Sequence, residues 1–141
     1  MMPTEIEILR NIPFFQDLDT NDLEILAPII HRTKVHEGEI LTRRGLTAST
    51  LYINLTGNAM VSYDEDRALT LHHKGDIAGL SAGGFPSIYQ GTAVALTDGE
   101  WLAISGQDLV DLIQGDNVLG EKIMKKLNVA SRERAHIMQG D

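Results

Sequence analysis

Cysteine is absent from the 141 residues, and with it go disulfides, thiolate zinc sites, iron–sulfur clusters and a cysteine nucleophile. Basic residues are outnumbered: 12 Lys and Arg stand against 20 Asp and Glu, for a net charge of −8 and a pI near 5.0. That balance repels a phosphate backbone and disfavours direct nucleic-acid binding. No apolar run approaches the roughly 20 residues of a membrane span. Residues 1–10 carry Glu5 and Glu7 and lack the basic flank and apolar run of a secretory signal. No Pro/Ser-rich or single-sign charged stretch separates one part of the chain from another. The expectation is one cytoplasmic domain over residues 1–141, off the membrane, in which the Asn54-Leu55-Thr56 triplet is a chance glycosylation match.

What is present suffices for a core, since 43% of the residues are hydrophobic and 23% charged, close to average globular usage. Apolar periodicity divides the chain into three zones. In residues 1–30, Asp19-Thr20-Asn21-Asp22 offers side-chain oxygens to unpaired amides, and Leu23, Leu26, Ile29 and Ile30 follow at helical spacing, with Pro28 as the weak point. Residues 31–105 hold strand-like runs around Val35, Ile40, Ile53, Val61, Leu69, Val94 and Leu102, several alternating with period two. Turn signals separate them, at Glu37-Gly38, Arg44-Gly45, Gly57-Asn58, residues 64–66, Gly75-Asp76 and Asp98-Gly99. The expected fold is mainly β, an antiparallel jelly roll (a double-stranded β-helix) with N-terminal helices and a C-terminal helix.

Residues 107–138 return to helical period, broken at Gly115-Asp116-Asn117. Leu119, Ile123, Leu127 and Ala130 then line one face, which Ile137 and Met138 would extend. A helix of that length runs roughly 30 Å. The expectation carried forward is that this stripe pairs with a second copy in a homodimer; the alternative is a helix folded back on its own barrel.

Several phrases together resemble the cyclic-nucleotide-binding domain family, which includes the sensor domain of catabolite activator protein and the regulatory unit of cAMP-dependent kinase. They are Ile12-Pro13-Phe14-Phe15 with Leu18, Glu37-Gly38-Glu39-Ile40-Leu41, Arg43-Arg44-Gly45, Leu51-Tyr52-Ile53-Asn54-Leu55-Thr56-Gly57, and Lys74-Gly75-Asp76-Ile77-Ala78-Gly79, with Thr92-Ala93-Val94-Ala95-Leu96 following in order. The resemblance implies a regulatory domain that catalyses no reaction and binds a ligand in residues 79–92. That ligand would reposition the helices after Gln107, and any output domain is expected to be another protein. In the family a glutamate there holds the ribose and an arginine the cyclic phosphate. In this chain those positions fall on Leu80 and Tyr89. A charge-assisted hydrogen bond contributes roughly 1.5–3 kcal/mol, so losing both anchors weakens cAMP or cGMP binding by about a hundredfold or more. What remains as a candidate site is Gly79, Leu80, Ser81, Ala82, Tyr89, Gln90, Gly91 and Thr92, with Gly83 and Gly84 as further amide donors. Two readings stay open: a small-molecule ligand less charged than a cyclic nucleotide, or an inert pocket in an interaction module that binds a protein partner.

Other constellations carry less. Gly79-Leu80-Ser81-Ala82-Gly83 matches the nucleophile elbow of α/β-hydrolases, yet Gly84 and Pro86 follow where a long helix is required. Of the five histidines, His31, His36, His72, His73 and His136, the adjacent pair His72 and His73 is expected on opposite faces of a strand. No metal and no cofactor is expected. Asp64-Glu65-Asp66 lacks the ligand spacing of a calcium loop and reads as a hairpin. Lys122, Lys125, Lys126, Arg132 and Arg134 make the last helix basic, suited to an acidic partner or to the acidic barrel.

Overall fold

The Asp19 carboxylate accepts a hydrogen bond from the Asp22 amide at 2.8 Å, and the Asp22 side chain accepts one from the Asp19 amide at 3.3 Å. This reciprocal cap starts helix α2 (Thr20–Leu26). Pro28 lacks an amide hydrogen and ends it, so Ala27–Ile29 tightens into a 3-10 turn and Ile30 enters the first strand. The expectation of a helix through Ile29 and Ile30 is corrected accordingly. The computed structural model describes residues 3–64, 66–83 and 88–139, with the side chains of residues 6–64, 66–82 and 88–134.

Helix α1 (Pro3–Arg10), a 3-10 turn at Pro13–Phe15 and α2 precede eight strands. These are β1 (Ile30–Val35), β2 (Ile40–Thr42), β3 (Thr50–Thr56), β4 (Ala59–Ser62), β5 (Ala68–Leu71), β6 (Ile77–Ala78), β7 (Thr92–Ala95) and β8 (Gly99–Ser105). They form two four-stranded antiparallel sheets, ordered β1-β8-β3-β6 and β2-β7-β4-β5. This is the expected jelly roll, flanked by helices at both ends of the chain. Gly38, Gly45, Gly57 and Gly75, read from the sequence as turn glycines, all have positive φ.

The first sheet is covered on both faces, and period two decides which side chain goes where. Trp101 of β8 points between the sheets with Val35, Val61 and Ala93, while Leu102 and Ile104 point the other way, into a second cluster with Leu51 and Ile53 of β3 and the helices. That is why β3 reads as an almost unbroken apolar run.

Helices α3 (Gly106–Gly115) and α4 (Asn117–Gln139) close the chain. Gly120 lets them touch, since a Cβ there would lie 2.4 Å from the Ile113 carbonyl oxygen. The stripe assigned to a dimer interface needs correction. Leu119 and Ile123 are 1% exposed and Leu127 5%, packed in the cluster that holds Phe15, Leu23 and Leu26 of the same chain. Ala130 is half-buried along a cleft of that chain. Lys122 to Asp22, at 2.9 Å, and Lys126 to Asp17 tie α4 to the N-terminal segment. The apolar face is thus used up by the chain's own core, the helix folding back on its own barrel. Exposed apolar residues on α4 are Val118, Met124 and Val129. Ile137 and Met138, proposed to extend the stripe, lie outside the described side chains.

Candidate functional site

Strand β6 is two residues long because Gly79, at φ +81°, turns the chain away from β3. A Cβ at Gly79 would sit 2.7 Å from the Thr50 carbonyl oxygen, so only glycine allows this departure. Leaving β3 so early strands the amide and carbonyl of Thr50 without a neighbouring strand on the side away from β8. Tyr89 fills that place. Its hydroxyl donates to the Thr50 carbonyl at 2.6 Å and accepts from the Thr50 amide at 2.9 Å, so a side chain completes the ladder that β6 abandons.

The candidate residues do come together. After Gly79 a 3-10 turn (Leu80–Gly83) leads to residues 84–87, outside the described structure, and the chain returns at a bridge between Ile88 and Thr47. Gly84 and Pro86 fall in that gap. Leu80 is half-buried against the helix-side cluster and Ala82 is 1% exposed. Tyr89 is 6% exposed, with its main chain bonded to Gly45 and Leu46. The Thr92 hydroxyl accepts from the Arg44 amide at 3.0 Å. Gln90 is exposed, its side-chain amide donating to the Ile88 carbonyl at 3.3 Å. Gly91 is backed by Val61 and Tyr63, whose side chains lie 2.8–2.9 Å from where a Cβ would be. The side chains of Tyr89, Gln90 and Thr92 are therefore engaged within the protein.

Among the described residues, Val61, Tyr63, Gly79, Ser81, Tyr89 and Arg134 line a cavity of about 30 Å³. A water needs roughly 10–15 Å³ and a ligand pocket about 300–1,000 Å³. Arg134 enters from α4. Its guanidinium donates to the Ile77 carbonyl at 2.7 Å and reaches the Tyr63 hydroxyl. Burial pushes the Tyr63 phenol above 10.0, and the Arg134 charge opposes that rise.

Arg134 was read from the sequence as one of five basic residues suited to an acidic partner or to the barrel, without being singled out for the cassette. A signal was available: Ile123, Leu127, Ala130 and Arg134 are spaced four, three and four apart, so the arginine lies on the buried stripe itself. Glu100 and Arg67 are elsewhere, Glu100 paired with Arg32 and Arg67 with Asp64 at 3.0 Å. His72 and His73 do not face opposite ways. Strand β5 ends at Leu71, and in the turn beyond it their rings sit 3.9 Å apart between centroids.

A second, larger cavity of about 850 Å³ lies beside the cassette, between Pro13 and Phe14, Gly75 to Ile77 and α4, with Lys125 and Lys126 on its rim. The sequence held no sign of it.

The family model described as the cyclic nucleotide-binding domain matches residues 32–116, more than half of the chain and including the whole cassette. The chain belongs to the cyclic nucleotide-binding domain family. No curated protein sequence matches it significantly. Among solved structures, the domain is similar to a protein from Geobacter metallireducens GS-15 named for cyclic nucleotide binding, at TM-score 0.84 and 24% identity over 96% of this chain and 100% of that one. It is also similar to the regulatory subunit of a cAMP-independent protein kinase A from Trypanosoma brucei, at TM-score 0.76 and 24% identity, covering 92% of this chain and 45% of that one. The sensor domain of the transcriptional regulator DNR from Pseudomonas aeruginosa follows the same fold, at TM-score 0.71 and 16% identity over 93% and 88% of the two chains. At these identities the likeness establishes the fold.

Proposed function

We propose that the domain is a non-catalytic regulatory module, acting in the cytoplasm, that does not hold cAMP or cGMP tightly because its own Tyr89 fills the cassette. The observation that carries this reading is the pair of hydrogen bonds from the Tyr89 hydroxyl to Thr50. By motif order Tyr89 corresponds to the family's phosphate-binding arginine and Leu80 to its glutamate, and the two bonds leave the Tyr89 phenol neutral and already satisfied. Without both charges, affinity falls by about a hundredfold or more. The Trypanosoma brucei subunit described as cAMP-independent supports it, since a triple mutant of that subunit, one of whose changes introduces an arginine, is bound to cAMP in its A site.

Regulation in this reading runs through α4. Arg134 bonds to Ile77 on β6, the strand that leads into the cassette, and Lys122 and Lys126 hold the same helix to the N-terminal segment. Whatever binds the state with Arg134 displaced more tightly than the state with it docked shifts the helix by that difference in affinity. The candidate ligand segment in this reading is Gly79, Leu80, Ser81, Ala82, Tyr89, Gln90, Gly91 and Thr92. A second reading, an interaction module with an inert cassette, draws on the 850 Å³ cavity and its lysines, which suit a partner offering acidic groups. A second copy docking along the described part of α4 would meet Val118, Met124 and Val129, because the inner stripe is covered.

Thermal unfolding with cAMP and cGMP is the test. At about 1 mM nucleotide, a site with a Kd near 10 μM would gain about 2.7 kcal/mol, several degrees in Tm. No change in Tm is expected; a rise of that size with either nucleotide overturns the reading.

A further inference from the structure

The turn joining β5 to β6 gathers His72, His73 and Asp76, and their candidate ligand atoms all lie within 4.8 Å of one another. We propose that this turn binds a divalent transition cation of the zinc type through the two imidazoles and the carboxylate.

Zinc holds nitrogen and oxygen donors at about 2.0–2.2 Å, so donors on its tetrahedron sit about 3.4 Å apart. Both histidines are exposed, so rotation of their side chains is what would close the remaining distance. The backbone itself is fixed. The Gly75 amide donates to the Asn54 carbonyl at 2.8 Å, the Asn54 amide to the Asp76 carbonyl at 2.8 Å, and the Asp76 amide to the His73 carbonyl at 3.0 Å. The Asp76 carboxylate is oriented as well. Its Oδ2 accepts from the amides of His72 and His73 at 3.0 and 2.9 Å, which leaves Oδ1 without a partner among the described residues. The ring of His72 has a similar support: Nδ1 lies 3.4 Å from the Thr70 carbonyl, and a proton donated there leaves Nε2 for the metal. Two imidazoles with one carboxylate select zinc, cobalt, nickel or copper over the all-oxygen preference of magnesium and calcium. Three protein donors leave a coordination position for water or for a group from a partner. Lys74 follows His73 in sequence and its charge opposes a cation, whereas the −8 charge of the chain attracts one.

The experiment titrates the full, untagged, metal-stripped chain with Zn²⁺ alone by calorimetry. One saturable Zn²⁺ per chain is expected, weakened about tenfold or more by His72→Ala or His73→Ala and abolished in the double variant, while His31→Ala with His36→Ala changes nothing. Absence of saturable uptake by the wild type, or unchanged uptake by the double variant, overturns the proposal. A measurement on the wild type needs no variant. Added Co²⁺ should broaden the ring resonances of His72 and His73 before those of His31, His36 and His136, and uniform broadening of all five contradicts the site.

Discussion

Removing the Tyr89 hydroxyl probes the cassette at the atom that closes it. In Tyr89→Phe the ring keeps its place, 6% exposed in the helix-side cluster, but the Thr50 amide and carbonyl lose bonds of 2.9 and 2.6 Å. Neither group has another strand to turn to, because β6 pairs only with Tyr52 and Ile53. Leaving a buried polar group unpaired costs about 1–3 kcal/mol, and some water reaches this part-buried site, so the two groups together should cost about 2–4 kcal/mol. At about 3 °C per kcal/mol for a chain of this size, Tm should fall by about 6–12 °C. The lone tryptophan, Trp101, is fully buried between the sheets and reports unfolding by fluorescence without a label. A Tyr89→Phe protein within about 0.5 kcal/mol of wild type would refute the argument that the phenol completes the ladder.

Three further outcomes are expected. Ile123→Ala should lose about 2–4 kcal/mol in urea unfolding with no change in mass by light scattering, because Ile123 packs inside its own chain; dissociation of an oligomer without loss of stability would contradict that packing. Gly79→Ala meets a positive φ and a Cβ contact of 2.7 Å with Thr50, and a loss of about 2–4 kcal/mol should appear in the same assay; a neutral result would mean that the cassette backbone is not held where described. The ties of α4 set a shallow pH profile. The Lys126 hydrogen bond holds the Asp17 carboxyl below 3.8, so its contribution is present above about pH 4 and fades as pH falls through the lowered value; the Asp22 hydrogen bond raises the Lys122 ammonium above 10.5, so that contribution is present below 10.5 and fades as pH rises past it. About 0.5 M salt should weaken the tie to Asp17, whose side chain is exposed, and an acid limb unaltered in Asp17→Asn would count against it.

Strands and turns were legible because alternation and positive-φ glycines are local features. Seven of the eight strands announce themselves as apolar runs, and β6 does not, being Ile77 and Ala78 alone, cut short by Gly79. The end of α2 was misplaced since Ile29 and Ile30 keep helical spacing across Pro28, although the backbone has already turned into β1. An apolar stripe on α4 was visible, but amphipathicity does not name its partner, and only the packing against Phe15, Leu23 and Leu26 does. The candidate residues of the cassette followed from motif order. What filled them did not, because Tyr89 bonds to Thr50 across 39 residues and Arg134 to Ile77 across 57, and no window of sequence contains either pair. His72 and His73 were misread for a local reason: β5 stops one residue before them, so strand alternation no longer applies.

The account stands most directly on whether the cassette is shut to cyclic nucleotides. Amide resonances of Gly79, Ser81, Gln90 and Gly91, followed by NMR while cAMP and then cGMP are added to about 1 mM, report on those atoms themselves. No shift beyond that of the unrelated loop glycine Gly38 is expected. Saturating shifts at Gly79 and Gly91 with a Kd near 10 μM would show that the phenol of Tyr89 yields its place to a phosphate, and the account would fail.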